Sequence, residues 1–246
     1  MRTAMRECVD HIAANVAGAA AGVEPEYLHQ LRVGMRRLRA ALRASDGLWR
    51  KKDVRALRQP LRGLRAASGP MRDLDVIMPL LPPSSRAAAR ARRRTAQAAL
   101  ARQLRTLPPV RLPRAAGGKS APLRAFARKT LSRLDRKALQ RGARTRWTDA
   151  EARHALRTRL RRLRYVSEFL TDAFPRREAA PLIDSLKDLQ DLLGELNDQV
   201  VARRVAQELS RSIPSATARE RALIARLPAA WRRFATAPRF WQDAGS

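Results

Sequence analysis

The chain has few of the residues on which crosslinked, metal-binding or membrane-spanning proteins depend. Its 246 residues include one cysteine, three histidines and 4% aromatic residues. The single thiol, Cys8, excludes an internal disulfide framework and a metal cluster held by thiolates. No apolar run approaches the length of about 18 residues that a membrane helix needs, and the N-terminal segment has no secretory pattern. We therefore expect a soluble cytoplasmic protein that does not bind a membrane.

Acidic residues and lysine are also scarce, whereas arginine is abundant. The chain has 52 Lys and Arg against 22 Asp and Glu, which gives a formal net charge of +30, and only six of the basic residues are lysine. Such an excess repels itself in a compact state and attracts polyanions. The planar fork of arginine suits bidentate contact with phosphate oxygens. A GC-rich codon usage also raises arginine content, but it does not explain where the arginines stand, so we expect a polyanionic partner.

The spacing of apolar residues predicts an all-α fold. Apolar positions recur every three or four residues, and the alternation typical of β-strands is absent. The predicted helices cover residues 3–20, 25–45, 53–78, 84–106, 121–141, 149–173, 179–210 and 216–234. We expect helix breaks near Gly69 and Gly194 and a kink or split at Pro60. Thr148 and Glu151 have the spacing of a capping box at the start of the sixth helix.

Two segments of the sequence recur at one offset of 125 residues. His29–Arg39 matches His154–Arg164 at seven positions, and Leu61–Val76 matches Leu186–Val201 at five. Because both pairs keep the same offset, the chain is predicted to be an internal duplication. We expect two four-helix bundles related by approximate two-fold symmetry, formed by residues 1–108 and 121–246. A Pro/Gly-rich linker, residues 109–120, joins them.

Each copy places a histidine and several arginines in a line on a helix. At 100° per residue, the stripe in the first copy is about 80° wide. It contains His29, Arg32, Arg36, Arg39 and Arg43, and the second copy has His154, Arg157, Arg161, Arg164 and Glu168 at the matching positions. Cations at this spacing repel one another, so such a row indicates a bound anion. A solvated helix face is the alternative, which the recurrence of the row makes less attractive.

The sequence offers no convincing catalytic or metal-binding motif. Gly118-Lys119-Ser120 is similar to the end of a phosphate-binding P-loop, but Pro113 stands where the first glycine is needed. Asp73 and Asp198 are expected to orient arginines through charge-assisted hydrogen bonds. We predict neither a metal, a cofactor nor an enzymatic activity. For the two histidines, helix packing and a hydrogen bond to phosphate remain alternatives.

The doubled motif resembles the CHAD family, the conserved histidine α-helical domain. The pattern of a histidine and spaced arginines, followed by a glycine and an aspartate, occurs in both copies and covers nearly the whole chain. The resemblance implies a basic groove or pore between two helical bundles that binds inorganic polyphosphate, and association with polyphosphate granules. Ser68 departs from the pattern, because an apolar residue ordinarily precedes the glycine. The residues expected to bind polyphosphate are His29, Arg32, Arg36, Arg37, Arg39, Arg62, Arg72, His154, Arg157, Arg161, Arg162, Arg164 and Lys187.

Non-catalytic polyphosphate binding is therefore the predicted function, and two other classes are weighed against it. A nucleic-acid-binding protein that contacts only phosphates would use the same arginines. The bases of a bound nucleic acid would need aromatic partners, and the four tryptophans are not interleaved with the arginine rows. An enzyme that cleaves or transfers phosphates would need metal-binding carboxylates near the rows, and the sequence does not supply a convincing set.

Overall fold

The structure is a computed structural model that describes residues 1–81, 83–117, 122–210 and 218–242. This part of the chain forms eight α-helices, with short 3₁₀ helices after α3 and α6. The α-helices are α1 (Arg2–Ala21), α2 (Pro25–Ala44), α3 (Lys51–Ile77), α4 (Pro83–Arg105), α5 (Leu123–Ala143), α6 (Ala150–Leu170), α7 (Arg176–Ser210) and α8 (Ala218–Thr236). The described residues contain no β-strand, only an isolated bridge between Trp49 and Ala115. The predicted all-α class is confirmed. No described helix combines the length and the apolarity that a bilayer span requires.

Local sequence signals account for the starts of the two helices that carry the arginine rows. α2 begins at Pro25, whose fixed φ suits the first turn of a helix. α6 begins after Asp149, whose carboxylate accepts a hydrogen bond from the backbone nitrogen of Ala152 at 3.0 Å. The predicted capping box of Thr148 and Glu151 is wrong, because the aspartate one residue later fills the capping position.

The predicted helix breaks near Gly69 and Gly194 and the predicted split at Pro60 are also wrong. α3 continues through Pro60 and Pro70, and α7 continues through Gly194. A buried row of leucines along α3 outweighs the hydrogen bonds that the prolines cannot make, since tertiary packing supplies most helical stability. Gly69 directly precedes Pro70, where a Cβ would crowd the proline ring in a helical conformation. The glycine that was expected to interrupt α3 therefore helps the helix to pass the proline.

The first compact unit contains α1 to α4 and the last turns of α7, residues 201–210. α1 packs on α2, α2 on α3, α3 on α4, and α4 on α1, so these four helices close into a bundle. Val205 of α7 is buried against Leu74, Ile77 and Ala89. The predicted boundaries assigned these turns of α7 to the second bundle, whereas their apolar side packs on α3 and α4.

The segment after α4 is pinned to the start of α3. The backbone nitrogen of Arg50 donates to the carbonyl of Arg114 at 2.9 Å, and that of Ala116 donates to the carbonyl of Leu48 at 3.0 Å. The carboxylate of Asp53 accepts hydrogen bonds from the backbone and side chain of Arg114. The described part of the predicted linker, residues 109–117, has no helix. The Gly118–Ser120 motif and the predicted helix starts at 121 and 216 lie outside the described residues.

The second compact unit contains α5, α6, α8 and the larger part of α7. α5 packs on α6, and the ring of Trp231 on α8 covers Gly142 on α5 so closely that a Cβ there would lie 1.9 Å from it. Trp147 lies 6.2 Å from Trp231 between ring centroids. Trp241 is buried and donates from its indole nitrogen to Ser132 Oγ at 3.1 Å. Three of the tryptophans therefore pack within this unit.

Candidate functional site

The buried face of α2 fixes the first arginine row. Leu28, Leu31 and Leu38 are fully buried at helical spacing. The adjacent stripe, which contains His29, Arg32, Arg36 and Arg39, is half-buried. Arginine stems can cover apolar surface while their charged ends reach the edge of a bundle. Packing of the leucines therefore sets where the four basic side chains lie.

α3 brings further arginines to this row. Arg58, Arg65 and Arg72 stand seven residues apart, so each lies about 20° around the helix from the next. The charges of Arg65 and Arg58 act on Arg39. The charges of Arg72 and Arg65 act on Arg32. We call these three residues, together with Arg32, Arg36, Arg39 and Arg43 of α2, the arginine cluster.

Sequence reasoning did not name Arg58 and Arg65 as site residues. Their signal was present as the seven-residue spacing with Arg72 in α3, which places all three on one side of the helix. The predicted helix break at Gly69 concealed it, because a break would have disconnected Arg72 from the other two. In the continuous helix α3, the three arginines lie on one side.

The cluster holds its charges at an electrostatic cost. Burial lowers the pKa of Arg32 from its usual 12.5 to about 10, the charge of Arg36 lowers it further, and Asp73 opposes both. Burial, followed by the neighbouring cluster arginines, also lowers the pKa of Arg39. Both side chains remain protonated at neutral pH, where an anion bound beside them would relieve the cost.

His29 is a neutral hydrogen-bonding group at this site. Burial lowers its pKa from 6.5, Arg72 lowers it further, and Glu26 opposes these effects. At pH 7 the ring is therefore uncharged, with one nitrogen that donates and one that accepts. Such a ring can donate a hydrogen bond to a phosphate oxygen without adding another charge to the cluster.

A serine and an aspartate order the arginines of the first unit. Ser68 is fully buried, accepts a hydrogen bond from Arg32 Nη1 at 2.8 Å and donates to the carbonyl of Arg65 at 3.2 Å. The residue that departs from the sequence pattern thus supplies an acceptor that an apolar side chain lacks. Asp73 Oδ2 pairs with Arg204 Nη2 of α7 at 2.6 Å. The charge of Asp73 therefore supports Arg32 while its carboxylate is held by an arginine outside the cluster.

Two further predicted residues of the first copy have different surroundings. Arg37 hydrogen-bonds to the thiol of Cys8 on α1. Arg62 is exposed on α3. Of the residues predicted in the first copy, the structure thus groups His29 and Arg72 with the arginines of the α2 stripe.

In the second unit, α6 and α7 bring the matching residues together. His154 Nδ1 lies 2.9 Å from Asn197 Oδ1, and because an amide oxygen only accepts, Nδ1 is the donor in this arrangement. Arg157 lies against Gly194, where an added Cβ would be 3.5 Å from its Nη2. This is an ordinary van der Waals distance. Glycine at 194 therefore leaves room for the guanidinium without being strictly required.

The remaining predicted residues of the second unit differ in exposure. Arg161, Arg162 and Arg164 are half-buried on α6, whereas Lys187 is exposed on α7. Arg164 Nη1 pairs with Glu168 Oε1 on the same helix at 3.6 Å. Its guanidinium also lies 5.2 Å from the centre of the Tyr165 ring. The last arginine of this row is thus partly neutralised by a neighbouring carboxylate.

The chemistry offered by both sites is that of cations and hydrogen-bond donors. Among the described residues, no three His, Cys, Asp or Glu side chains stand close enough together to hold a metal ion. Guanidinium groups lined along a helix suit an extended anion with many oxygens. The arrangement can bind such an anion and neutralise its charge.

A family model and a solved structure both relate this chain to the CHAD domain. The model of the CHAD domain family matches residues 3–207. The crystal structure of the CHAD domain from the plant Ricinus communis has a TM-score of 0.74 and 27% sequence identity, over 97% of this chain and 92% of that one. PptA from Streptomyces chartreusis has a TM-score of 0.60 over 96% of both chains, and its 16% identity shows similarity of fold alone. No curated protein matches the chain.

Proposed function

This chain belongs to the CHAD family, and on that premise we propose that it binds inorganic polyphosphate without catalysing a reaction on it. The observation that carries the proposal is the arginine cluster, in which charges of α3 act on the half-buried Arg32 and Arg39 of α2. Each phosphate of the chain would offer oxygens to a guanidinium. Burial and then the charge of Arg36 lower the pKa of Arg32, and a bound anion would offset both effects.

The surroundings of the cluster favour polyphosphate over nucleic acid. Polyphosphate has no bases, so its site needs arginines but no stacking platforms. α3 contains no aromatic residue, and the only one on α2 is Tyr27. Trp147, Trp231 and Trp241 pack within the second unit. Non-specific binding to nucleic acid is the second candidate, since the same guanidinium groups would contact the phosphates of its backbone.

Binding without catalysis fits the acidic residues near the cluster. Asp73, whose charge acts on Arg32, already pairs with Arg204. A carboxylate engaged in this way is poorly placed to act as a metal ligand or a general base. We further propose that the protein is cytoplasmic and associates with polyphosphate granules through this interaction.

The first experiment is a competition assay at about physiological ionic strength. Labelled long-chain polyphosphate is bound to the protein and challenged with unlabelled polyphosphate, duplex DNA or single-stranded DNA at equal phosphate concentration. Displacement by polyphosphate alone supports the proposal. Equal displacement by DNA would replace it with general binding of polyanions.

A pair of double variants separates the site from net charge. The variant R36A/R161A removes one arginine from each row. The control R90A/R94A removes two exposed arginines from α4. Because hydrogen bonds to charged groups contribute about 1.5–3 kcal/mol each, we expect the first variant to lose at least about tenfold in affinity for polyphosphate. The control should lose much less, and equal losses would show that only net charge matters.

A further inference from the structure

The two units can be compared position by position. α2 and α6 begin at Pro25 and Ala150, and α3 and α7 begin at Lys51 and Arg176, so both pairs are separated by 125 residues. This is the offset at which the sequence motifs recur. The duplication itself stays a prediction, but the shared helix starts allow residues of α3 to be matched with residues of α7.

The three cluster arginines of α3 have no basic counterparts on α7. The positions that match Arg58, Arg65 and Arg72 are occupied by Ile183, Gln190 and Asn197. On the partner helix, Glu168 of α6 occupies the position that matches Arg43 of α2. Seven arginines in the cluster of the first unit thus correspond to three in the second unit, Arg157, Arg161 and Arg164.

The neutral residues of α7 change the electrostatic character of the second unit. Asn197 accepts a hydrogen bond from His154, whereas Arg72 lowers the pKa of the matching His29. Gln190 is buried, and its amide nitrogen has no partner among the described residues. Glu168 compensates part of the charge of Arg164. Amides and a carboxylate therefore stand where the first unit concentrates positive charge.

We propose that the first unit is the stronger polyphosphate site and that Arg58, Arg65 and Arg72 of α3 make it so. The inference rests on the proposed function and adds to it a difference in polyphosphate affinity between the two units. An anion gains more where it neutralises cations that repel each other than where amides already balance the site. The second unit then contributes a weaker site, in which neutral donors hold the phosphates.

The dimensions of the cluster indicate the kind of anion that it takes. Arg32 and Arg43 are eleven residues apart on α2, which corresponds to about 16 Å along a helix. A single orthophosphate would reach only a fraction of these guanidinium groups. An oligophosphate chain that runs along α2 and α3 can contact most of them, so the first unit is a site for a chain of phosphates.

The test replaces arginines of α3 by the residues at the matching positions of α7. The variant R65Q/R72N gives the first unit the amides that the second unit has at these positions. The dissociation constant for long-chain polyphosphate is measured over a range of NaCl concentrations. We expect a loss of about tenfold or more and a shallower dependence of log Kd on log salt, by about 0.7–0.9 for each phosphate contact removed.

Two controls remove the same number of charges elsewhere. The variant R157Q/R161Q takes two arginines from the second unit, and R90Q/R94N takes two exposed arginines from α4. Both should weaken binding less than R65Q/R72N does. Thermal unfolding without ligand shows whether each variant folds. The melting temperature of R65Q/R72N should rise, because two cations that repel Arg32 are gone.

The outcomes separate this inference from the proposed function. If the wild-type protein binds polyphosphate, but R157Q/R161Q weakens binding as much as R65Q/R72N does, the first unit is not the stronger site and the proposed function stands. If the wild-type protein shows no preference for polyphosphate over DNA, the proposed function fails, and this inference fails with it.

Discussion

At the scale of single residues, the first site depends on neutral groups placed among the arginines. Ser68 gives Arg32 an uncharged acceptor inside the bundle, and His29 is a ring whose pKa is lowered by burial and by the same arginines. Neither property follows from the sequence motif, which gave the histidine its position but not its surroundings. The hydroxyl of Ser68 was visible as a departure from the motif, but only the fold shows that it meets Arg32.

The protonation of His29 should report on ligand binding. Its pKa in the free protein is expected to lie below 6.5, because burial and Arg72 disfavour the charged ring. A bound polyphosphate adds negative charge and should raise this pKa. Titration of the ring protons by NMR, with and without polyphosphate, measures the change. An unchanged pKa in the presence of saturating ligand would place the phosphates away from His29.

The same shift gives the pH dependence of stability. Because the folded-state pKa of His29 is depressed below its usual 6.5, the unfolded chain takes up a proton more readily as the pH falls below that value. The contribution of this residue to stability is therefore present above about pH 6.5 and is lost as the pH decreases towards the folded-state pKa. In the variant H29Q, this part of the dependence should disappear from denaturant titrations.

At the scale of helices, periodicity predicted the elements but not their interruptions. The apolar spacing and Pro25 gave the start of α2, and the leucines of its buried face fix the arginine row beside them. The expected breaks in α3 and α7 did not occur, since a proline or glycine acts against the packing of a whole helix face. The alignment of Arg58 and Arg65 with Arg72 depends on the continuity of α3. The predicted break therefore left these two arginines out of the predicted site.

Glycines at two helix positions should respond in opposite ways to alanine. A Cβ at Gly63 of α3 would meet only Gln103, at 3.4 Å, whereas one at Gly34 of α2 would lie 2.8 Å from Ile12. We expect G63A to raise the free energy of unfolding by about 0.5–1 kcal/mol, as alanine does in a helix interior. G34A should lower it by about 1–3 kcal/mol through overpacking between α1 and α2. Denaturant titration measures both, and stabilisation by G34A would contradict this close packing.

At the scale of the whole molecule, net charge acts on every residue at once. The formal charge of +30 follows from composition, and it predicts strong self-repulsion in the folded chain. Composition does not show how that charge is divided between the helices. The three cluster arginines of α3, against neutral residues at the matching positions of α7, matter only because the fold places each helix beside an arginine row. Net charge and local clustering therefore contribute separately to stability and to ligand binding, and the salt dependence of each can be measured.

Salt should stabilise the free protein and weaken the effect of its ligand. Raising NaCl from about 0.05 to 0.5 M shortens the screening length and reduces repulsion among the cations, so the melting temperature without ligand should rise. Polyphosphate at about 100 times its Kd should add about 2.7 kcal/mol of stability at low salt. This gain should shrink as salt rises, because each counterion that binding releases gains less entropy at a higher salt concentration. Scanning calorimetry across both series measures the two trends. A ligand-induced gain that persists unchanged at 0.5 M would mean that contacts other than charge neutralisation hold the polyphosphate.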